Sequence, residues 1–317
     1  MKKTLAILLS AVMVLALLAG CGDKNNDKGG NAGNTDASTL DVGVFYYDFS
    51  DVYISSVRNS MDSQFKALGI KYTNYDGGSN QAQQTDQINT AIANGANLLI
   101  VNIVETSSPD AAQNAADAAK AAGIPIIFFN REVADEVVNS YEKCAFVGTN
   151  APEAGHMQGQ MIGEYLVANF DTVDLNGDGK ISYIMFKGDE ANQEAIARTA
   201  LAVEYANKAL VAAGKPEIEF YDASNANKYL VDPNGSWSNV FSSEQMQTVL
   251  SMYNEGNGNM VELVICNNDD MAIGVIAALN EVGYNLGDGG DEVIVIGVDC
   301  TDTAVEYINA GKLYGTV

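Results

Sequence analysis

The chain has 317 residues, and its 41 acidic side chains against 17 lysines and arginines give a formal net charge of -24 at pH 7. This acidity excludes nucleic acid or an anionic membrane surface as partner, since both are bound through clustered Lys and Arg. Because His156 is the single histidine, a multi-histidine metal site is excluded too. The length allows two domains or one large two-lobed unit.

The first 20 residues have the pattern of an export signal. Two lysines precede an apolar run over 5–18, which is too short to span a bilayer comfortably and ends in small residues. The sequence Leu18-Ala19-Gly20-Cys21 resembles the lipobox of bacterial lipoproteins, in which the cysteine is lipidated. The alternative is a plain signal peptide with an incidental cysteine. We predict a lipoprotein signal peptide at 1–20 and lipidation of Cys21, so that an extracytoplasmic protein touches the membrane only through its lipid anchor.

Residues 21–39 are predicted to form a flexible tether, because Gly, Asn, Asp and Lys dominate and large apolar side chains are nearly absent. The folded body then begins near Leu40. If Cys21 carries lipid, Cys144, Cys266 and Cys300 are an odd set that lies in or beside apolar strand patterns. We therefore expect free, buried cysteines and no disulfide framework.

From Leu40 onward, short apolar runs alternate with longer amphipathic segments. In the first unit a strand precedes a helix whose apolar residues recur at spacings of three and four before Gly69. In the first half the predicted strands are 42–47, 71–75, 98–103 and 124–129, and the predicted helices are 54–68, 81–94 and 111–122. In the second half the predicted strands are 144–147, 181–186, 218–221, 261–266, 293–298 and 313–317, and the predicted helices are 153–168, 194–213, 244–254, 271–282 and 303–310.

This alternation predicts an α/β protein whose strands pair in parallel, because right-handed crossovers are the common way to connect such units. We expect two doubly wound parallel-sheet lobes, the first at 40–130 and the second at 131–317, joined near 130–141. Their strand ends would enclose a cleft. Open α/β sheets bind their ligands at this position.

Polar and aromatic side chains follow the predicted strands. Planar amides and carboxylates can each bond two adjacent hydroxyls, and aromatic rings pack on the C–H faces of a pyranose. Since the sequence has neither a Gly-rich phosphate loop nor a nucleophile elbow, the set favours a neutral polyhydroxyl ligand. Each Asn or Asp taken singly could instead be a turn or helix-cap residue. The residues at these strand ends are Tyr47, Asp51, Tyr53, Asn102, Asn130, Asn268 and Asp299.

The segments around these residues resemble the periplasmic glucose/galactose-binding proteins, the substrate-binding components of ABC sugar importers with the type I binding-protein fold. The resemblance runs over 40–317 and is strongest at 47–53, 101–104, 128–132, 147–149, 197–199, 267–269 and 297–299. It implies that a glucose- or galactose-like monosaccharide is captured between the lobes and delivered to an ABC transporter permease. The implied sugar contacts are Tyr47, Asp51, Asn102, Arg198, Asn268 and Asp299, with aromatic stacking by Tyr53 and Trp237.

Two positions depart from the family's pattern. Counted back from Arg198, the family's histidine and aspartate sugar ligands fall on Asn192 and Glu194. Both can hydrogen-bond a hydroxyl, but their lengths and donors differ from those of His and Asp. We therefore expect these two side chains to contact the sugar and to decide which hydroxyl pattern is accepted.

The segment 174–182 has the first nine positions of an EF-hand calcium loop, with oxygen side chains at positions 1, 3, 5 and 9 and glycine at 6. Position 12 is Met185, which cannot bind calcium. The resemblance supplies the missing bidentate glutamate from another strand. A plain Asp/Asn/Gly turn would explain the composition but not the spacing, so we predict a structural Ca²⁺ site. The predicted ligands are Asp174, Asn176, Asp178, the carbonyl of Lys180, Ser182 and Glu262.

Two other classes of function are alternatives, an enzyme and a transcription regulator. A sugar-modifying hydrolase or isomerase could draw on Asp51, Glu194 and Asp299, since glycosidases need two carboxylates. Each of these already has a binding role, and His156 has no nucleophile beside it in sequence, so we predict a binding protein and no enzyme. A transcription regulator of this fold class conflicts with the export signal and with the lack of a basic helix-turn-helix before Leu40.

The predicted strand at the end of the sequence can also be compared with the family. The strand predicted at 313–317 has the look of the family's last second-lobe strand before the chain returns to the first lobe. In the family a further ligand asparagine, two helices and a strand follow. The resemblance therefore implies that the 317 residues are a truncated record that lacks part of the first lobe.

Overall fold

A computed structural model of the protein describes residues 39–317. The predicted signal peptide, the predicted lipidation site Cys21 and the predicted tether up to residue 38 lie outside the described residues. Among the helices of residues 39–317, none is both long and apolar enough to cross a membrane.

The first lobe is built on a parallel sheet. Its strands are β1 (Asp41–Tyr46), β2 (Lys71–Asp76), β3 (Leu98–Val101), β4 (Ile126–Phe129) and β5 (Cys144–Val147). Its helices are α1 (Val52–Leu68), α2 (Gln81–Ala93), α3 (Asp110–Ala122) and α4 (Asp135–Val138). The strand order is β2-β1-β3-β4-β5, and every pair is parallel.

The second lobe repeats this plan. Its strands are β6 (Ser182–Lys187), β7 (Glu219–Phe220), β8 (Leu230–Val231), β9 (Leu263–Cys266), β10 (Ile294–Gly297) and β11 (Gly315–Thr316). Its helices are α5 (Ala151–Val173), α6 (Gln193–Ala212), α7 (Asn239–Met252), α8 (Asp269–Glu281) and α9 (Asp302–Asn309), with a 3₁₀ turn at Glu255–Asn257. The order is β11-β10-β9-β6-β7, with β8 also paired to β6. All pairs are parallel, so the predicted α/β class with two parallel sheets is confirmed.

The boundary between the lobes differs from the prediction. β5 pairs in parallel with β4, with Cys144 opposite Ile126, so it is the edge strand of the first sheet. The predicted boundary at residue 130 and the predicted connection at 130–141 are therefore wrong, and the described chain passes to α5 through 148–150. A short apolar run indicates a strand but not its neighbours, and this strand is only partly buried.

The other predicted elements lie within a few residues of those in the structure. The elements that the sequence missed, β8, α4 and the 3₁₀ turn, have two to four residues each. Elements this short repeat the strand or helix period at most once, so hydrophobic periodicity gave no signal for these three.

Both faces of each sheet are buried, because helices cover them. In β1, Val44 and Tyr46 pack on one face with Ile54 of α1. Phe45 points to the other face, where it joins the cluster that includes Ala115 of α3. The second sheet divides its side chains between two clusters in the same way. This two-sided burial explains why the strands read as continuous apolar runs.

Helices α5 and α6 approach each other closely through glycines spaced four apart. A β-carbon added at Gly155, Gly159 or Gly163 would lie 2.5–2.8 Å from the nearest atom of α6. At Gly159 that atom is the carbonyl oxygen of Ala202. Side chains four apart share one helix face, so these glycines form a stripe that sets the distance between the two helices.

We expect Gly159→Ala to destabilise the protein. Overpacking costs about 1–3 kcal/mol, which exceeds the gain of about 1 kcal/mol that alanine brings to a helix interior. Urea denaturation followed by circular dichroism measures the change. The control is Gln160→Ala at the exposed neighbouring position, and an unfolding midpoint for Gly159→Ala at or above that of the parent would contradict the packing argument.

Candidate functional site

A cavity of about 40 Å³ lies between the two lobes, and we call it the inner cavity. It forms where the carboxyl ends of strands from both sheets meet. Nine of the ten side chains predicted to contact sugar line it, and Asn102 is the exception. The lining residues are Tyr47, Asp51, Tyr53, Ile54, Asn130, Arg131, Asn192, Glu194, Arg198, Trp237, Asn268 and Asp299.

Three of these residues are also helix N-caps. Asp51 Oδ1 accepts from the amide of Ile54 at 2.8 Å, and this bond starts α1. Asn192 and Asn268 start α6 and α8 in the same way through their Oδ1 atoms. Each cap uses one side-chain oxygen. Asp51 Oδ2 accepts from the Tyr47 hydroxyl at 2.5 Å, and the amide nitrogens of the two asparagines remain for other partners. A residue at these positions can therefore cap a helix and still contact a ligand.

Asn102 does not line the inner cavity, and the structure places Asn130 there instead. The Asn102 side chain is fully buried, accepts from the amide of Tyr47 at 3.2 Å and donates to Asn130 Oδ1 at 3.0 Å. Asn102 thus positions two lining residues rather than lining the cavity itself. The signal for Asn130 was present, because it directly follows β4.

Arg198 and Asp299 form the charged centre of the cavity. Arg198 Nη1 donates to the carbonyl of Asn267 at 2.7 Å and lies 3.9 Å from Asp299 Oδ1. Both oxygens of the buried Glu194 and Arg198 Nε have no hydrogen-bond partner within residues 39–317. Burial raises the pKa of the Glu194 carboxyl. The cavity therefore holds polar atoms whose partners the described residues do not supply.

Burial raises the pKa of Asp299 from its ordinary value of 3.8 to about 8. Asp269, Asp51 and Asp270 add to the increase, and the positive charge of Arg198 opposes it. Asp299 also has a φ of 114°, a region that side chains rarely adopt. Asn130 and Trp237 in the same cavity have positive φ as well, at 62° and 56°. Such strain persists only where the surrounding structure enforces it, and it clusters at functional sites.

The Trp237 ring occupies space that is open only because residue 188 is a glycine. A β-carbon at Gly188, directly after β6, would lie 2.1 Å from atoms of the indole ring. The ring is 8% exposed, and its centroid lies 5.7 Å from the Arg198 guanidinium carbon. Tyr53 lies on the first lobe, and the charge of Asp299 on the second contributes to its raised pKa, after burial. With Tyr47, the first lobe contributes two aromatic residues to the cavity lining and the second lobe contributes one.

Arg131 was absent from the predicted site, yet it joins the lobes. Its guanidinium carbon lies 3.7 Å from the ring centroid of Tyr47, and Nη1 donates to the carbonyl of Val104 at 2.6 Å. Nη2 lies 3.7 Å from Asp189 Oδ2 on the second lobe. The sequence signal was its place directly after Asn130 at the end of β4.

The predicted calcium loop lies away from the inner cavity, between α5 and β6. Both oxygens of Asp174 accept loop amides, among them that of Gly179 at 2.8 Å. Glu262 Oε2 accepts from the amide of Ser182 at 2.8 Å, whereas Oε1 is buried without a partner. Burial, with Asp178 and Asp174 nearby, raises the pKa of Glu262 to about 8. In the described ranges, no three acidic, cysteine or histidine side chains already lie close enough to hold a metal ion.

The histidine and the three cysteines of the described residues lie outside the inner cavity. His156 is exposed on α5, with its ring 3.9 Å from that of Tyr205. Cys144, Cys266 and Cys300 are free, as predicted. Only Cys266 is buried, and the expected burial of Cys300 is wrong because this residue follows Asp299 in an exposed turn with positive φ.

We expect the stability of the sugar-free protein to fall as the pH rises from 5 to 8, partly through Asp299. Above pH 3.8 the unfolded chain has lost the Asp299 proton, while the folded chain keeps it up to about pH 8. Each pH unit in this window therefore removes up to about 1.4 kcal/mol. Urea denaturation at several pH values should give a shallower dependence for Asp299→Asn. The exposed Asp302→Asn serves as control, and equal slopes for all three proteins would contradict the prediction.

Comparison with known proteins places the chain in a family. The model of the periplasmic binding protein domain matches residues 42–317. A D-galactose/methyl-galactoside binding periplasmic protein of Haemophilus influenzae is 30% identical over 318 residues, which cover 100% of this chain and 84% of that protein.

Solved structures agree on the fold. An ABC transporter solute binding protein from Bacillus halodurans C-125, with bound myo-inositol, has a TM-score of 0.65 at 23% identity, over 88% of this chain and 82% of that chain. One from Clostridium phytofermentans, with bound β-D-glucose, has a TM-score of 0.67 at 22% identity, over 86% and 77%. The predicted type I binding-protein fold and the expectation of a binding protein rather than an enzyme are thus confirmed, and the chain belongs to the periplasmic binding protein family.

Proposed function

We propose that the protein is the extracytoplasmic sugar-binding component of an ABC importer, which closes its two lobes on a monosaccharide and delivers it to a membrane permease. The observation that carries this proposal is the inner cavity, where carboxylates, amides, two guanidinium groups and three aromatic rings converge from both lobes. The named relative in Haemophilus influenzae binds D-galactose and methyl-galactoside.

The unpartnered atoms of the cavity suit sugar hydroxyls. A hydroxyl can donate to the oxygens of Glu194 or Asp299 and accept from Arg198 Nε, so one polyhydroxyl ligand can satisfy both kinds of atom. Buried polar groups left unpaired cost free energy, so a ligand that pairs them gains affinity and one that does not is rejected. Trp237 and Tyr53 provide apolar faces for the C–H surfaces of a pyranose.

The size of the inner cavity supports a binding cycle with an open state. Its volume of about 40 Å³ is close to the roughly 30 Å³ that one water molecule occupies in the liquid. A monosaccharide therefore enters only when the lobes move apart, and closure then removes the bound sugar from water.

The preferred sugar is proposed to depend on Asn192 and Glu194. Asn192 uses its oxygen to cap α6, so its amide nitrogen makes it a donor toward the ligand. Glu194 has both oxygens unpartnered and acts as an acceptor when ionised. These two side chains select among glucose- and galactose-like hexoses by the arrangement of their hydroxyls. The comparisons give no support to the alternative of a sugar-modifying enzyme.

We expect Asp299→Ala to abolish sugar binding without unfolding the protein, because it removes the buried acceptor at the cavity centre. Trp237→Ala should weaken binding by about 1–3 kcal/mol, by analogy with the loss of an aromatic stacking partner for a flat ligand. Isothermal titration calorimetry with hexoses and pentoses measures both effects. Asp302→Ala, exposed at the start of α9, is the control. If the parent protein bound none of these sugars, the proposed function would be wrong.

The loop 174–182 and Glu262 are proposed to hold a structural calcium ion. The donor set is rich in oxygen, as Ca²⁺ requires: Asp174, Asn176, Asp178, Ser182, the Lys180 carbonyl and Glu262. The buried, unpartnered Glu262 Oε1 supports the proposal, since a carboxylate desolvated beside Asp174 and Asp178 needs a cation or a proton. A bound ion would tie the loop to the residue that precedes β9.

Calcium should raise the melting temperature of the protein, and a chelator should lower it. Glu262→Gln removes a charged ligand and should reduce this response. Differential scanning fluorimetry with and without chelator measures it, with Glu217→Gln as an exposed control. If neither calcium nor a chelator changed the melting temperature of the parent protein, the calcium proposal would be wrong and the segment would be a plain turn.

We also propose that Cys21 anchors the protein to the membrane through lipid, on the evidence of the lipobox-like sequence that precedes it. Cys21→Ser should release the protein into the soluble fraction, because the attachment point is lost. Fractionation and immunoblotting measure the distribution, with Cys300→Ser as the control. Unchanged membrane association of the Cys21 variant would argue against lipidation.

A further inference from the structure

A second cavity of about 350 Å³ adjoins the inner cavity, and we call it the outer pocket. Tyr47 and Arg131 line both spaces, so the two share a wall. Small-molecule sites typically measure about 300–1,000 Å³. The outer pocket therefore offers room for a ligand group beside the inner cavity.

The same chain segments run from one space to the other. Asp189 and Ala191 line the outer pocket, and Asn192 lines the inner cavity. Residues 231–235 line the outer pocket, and Trp237 lines the inner cavity. A ligand that extends from the inner cavity outward thus stays in contact with both segments, and both belong to the second lobe.

Arg131 has a free donor at the shared wall. Its Nη1 is engaged by the carbonyl of Val104 at 2.6 Å. Its Nη2 lies 3.7 Å from Asp189 Oδ2, which is beyond hydrogen-bond distance. An oxygen that joins two parts of a ligand at this wall can therefore accept from Nη2 without displacing a short hydrogen bond.

The side chains of the outer pocket define the chemistry that fits it. Ser107 on the first lobe and Asn234 on the second are exposed and provide a hydroxyl and an amide, and Pro233 adds an apolar surface. Four carboxylates line the pocket, whereas Arg131 is the only Lys or Arg among the described residues that line it. Anionic groups such as a uronate or a phosphate are therefore disfavoured. The four carboxylates are Glu105, Asp189, Glu190 and Asp232.

We propose that the protein binds a neutral disaccharide, with one sugar unit in the inner cavity and the second unit in the outer pocket. The inference rests on the proposed function and extends its ligand class. The glycosidic oxygen lies at the shared wall, beside Arg131 Nη2. Hydroxyls of the second unit bond Ser107 and Asn234, which come from opposite lobes, so the longer ligand also bridges the cleft at its outer end.

Calorimetric titration of the protein tests this proposal with D-glucose and D-galactose as monosaccharides and with maltose, cellobiose and lactose as disaccharides. At least one disaccharide should bind with a Kd within tenfold of that of its parent monosaccharide. Ser107→Trp fills the outer pocket, so it should weaken that disaccharide at least tenfold and change monosaccharide binding less than twofold. Ser107→Ala is the matched control that keeps the pocket open, and Asn234→Trp repeats the test from the other lobe.

The outcomes separate this inference from the function on which it rests. Monosaccharide binding with no disaccharide binding would overturn the inference and leave the proposed function intact. Equal weakening of both ligands by Ser107→Trp and Asn234→Trp, in variants with the parent's melting temperature, would also overturn it, because the outer pocket would then not be a separate subsite. Binding of neither kind of sugar would overturn the proposed function itself.

Discussion

A carboxylate removed from water needs a partner, and the inner cavity holds carboxylates whose partners the described residues do not provide. Both oxygens of Glu194 lack a hydrogen bond, and the nearest cation to Asp299 is 3.9 Å away. Burial consequently raises the pKa of both groups. A closed, ligand-free cleft is therefore unfavourable at neutral pH, and a ligand that donates hydrogen bonds favours closure. This single constraint links the electrostatics of the site to the proposed movement of the lobes.

The parallel sheets place those groups opposite each other. All carboxyl ends of a parallel sheet lie at one edge, and each is followed by a helix whose amino end needs a cap. Asp51, Asn192 and Asn268 fill that need with one oxygen each and present their remaining polar atoms at the cavity. These three lining residues are thus fixed by the same hydrogen bonds that start the helices. Their positions are consequently rigid before a ligand arrives, which lowers the entropic cost of binding.

Close packing fixes the second lobe behind the site. The glycine stripe of α5 keeps it against α6, the helix that carries Glu194 and Arg198. Gly188 leaves room for the Trp237 ring, which has positive φ at the end of its loop. The first lobe contributes Arg131, whose contact with Asp189 crosses the cleft at 3.7 Å. At this length the two side chains share no short hydrogen bond, so the proposed opening of the lobes would break none between them.

The sequence by itself determined the α/β class, nearly all the longer elements and five of the nine predicted cavity side chains, because hydrophobic periodicity and strand-end position are local properties. The other four, Asn192, Glu194, Arg198 and Trp237, came from the resemblance to the family. The sequence also contained Asn130 and Arg131 at a strand end. The local sequence pattern, however, could not predict that the Asn102 side chain is already hydrogen-bonded to Tyr47 and Asn130. The tertiary structure alone decided that β5 joins the first sheet, that Glu194 is left without a partner and that an outer pocket adjoins the inner cavity. These features depend on which segments become neighbours across the sheets and across the cleft. The spacing of residues along the chain does not specify those neighbours.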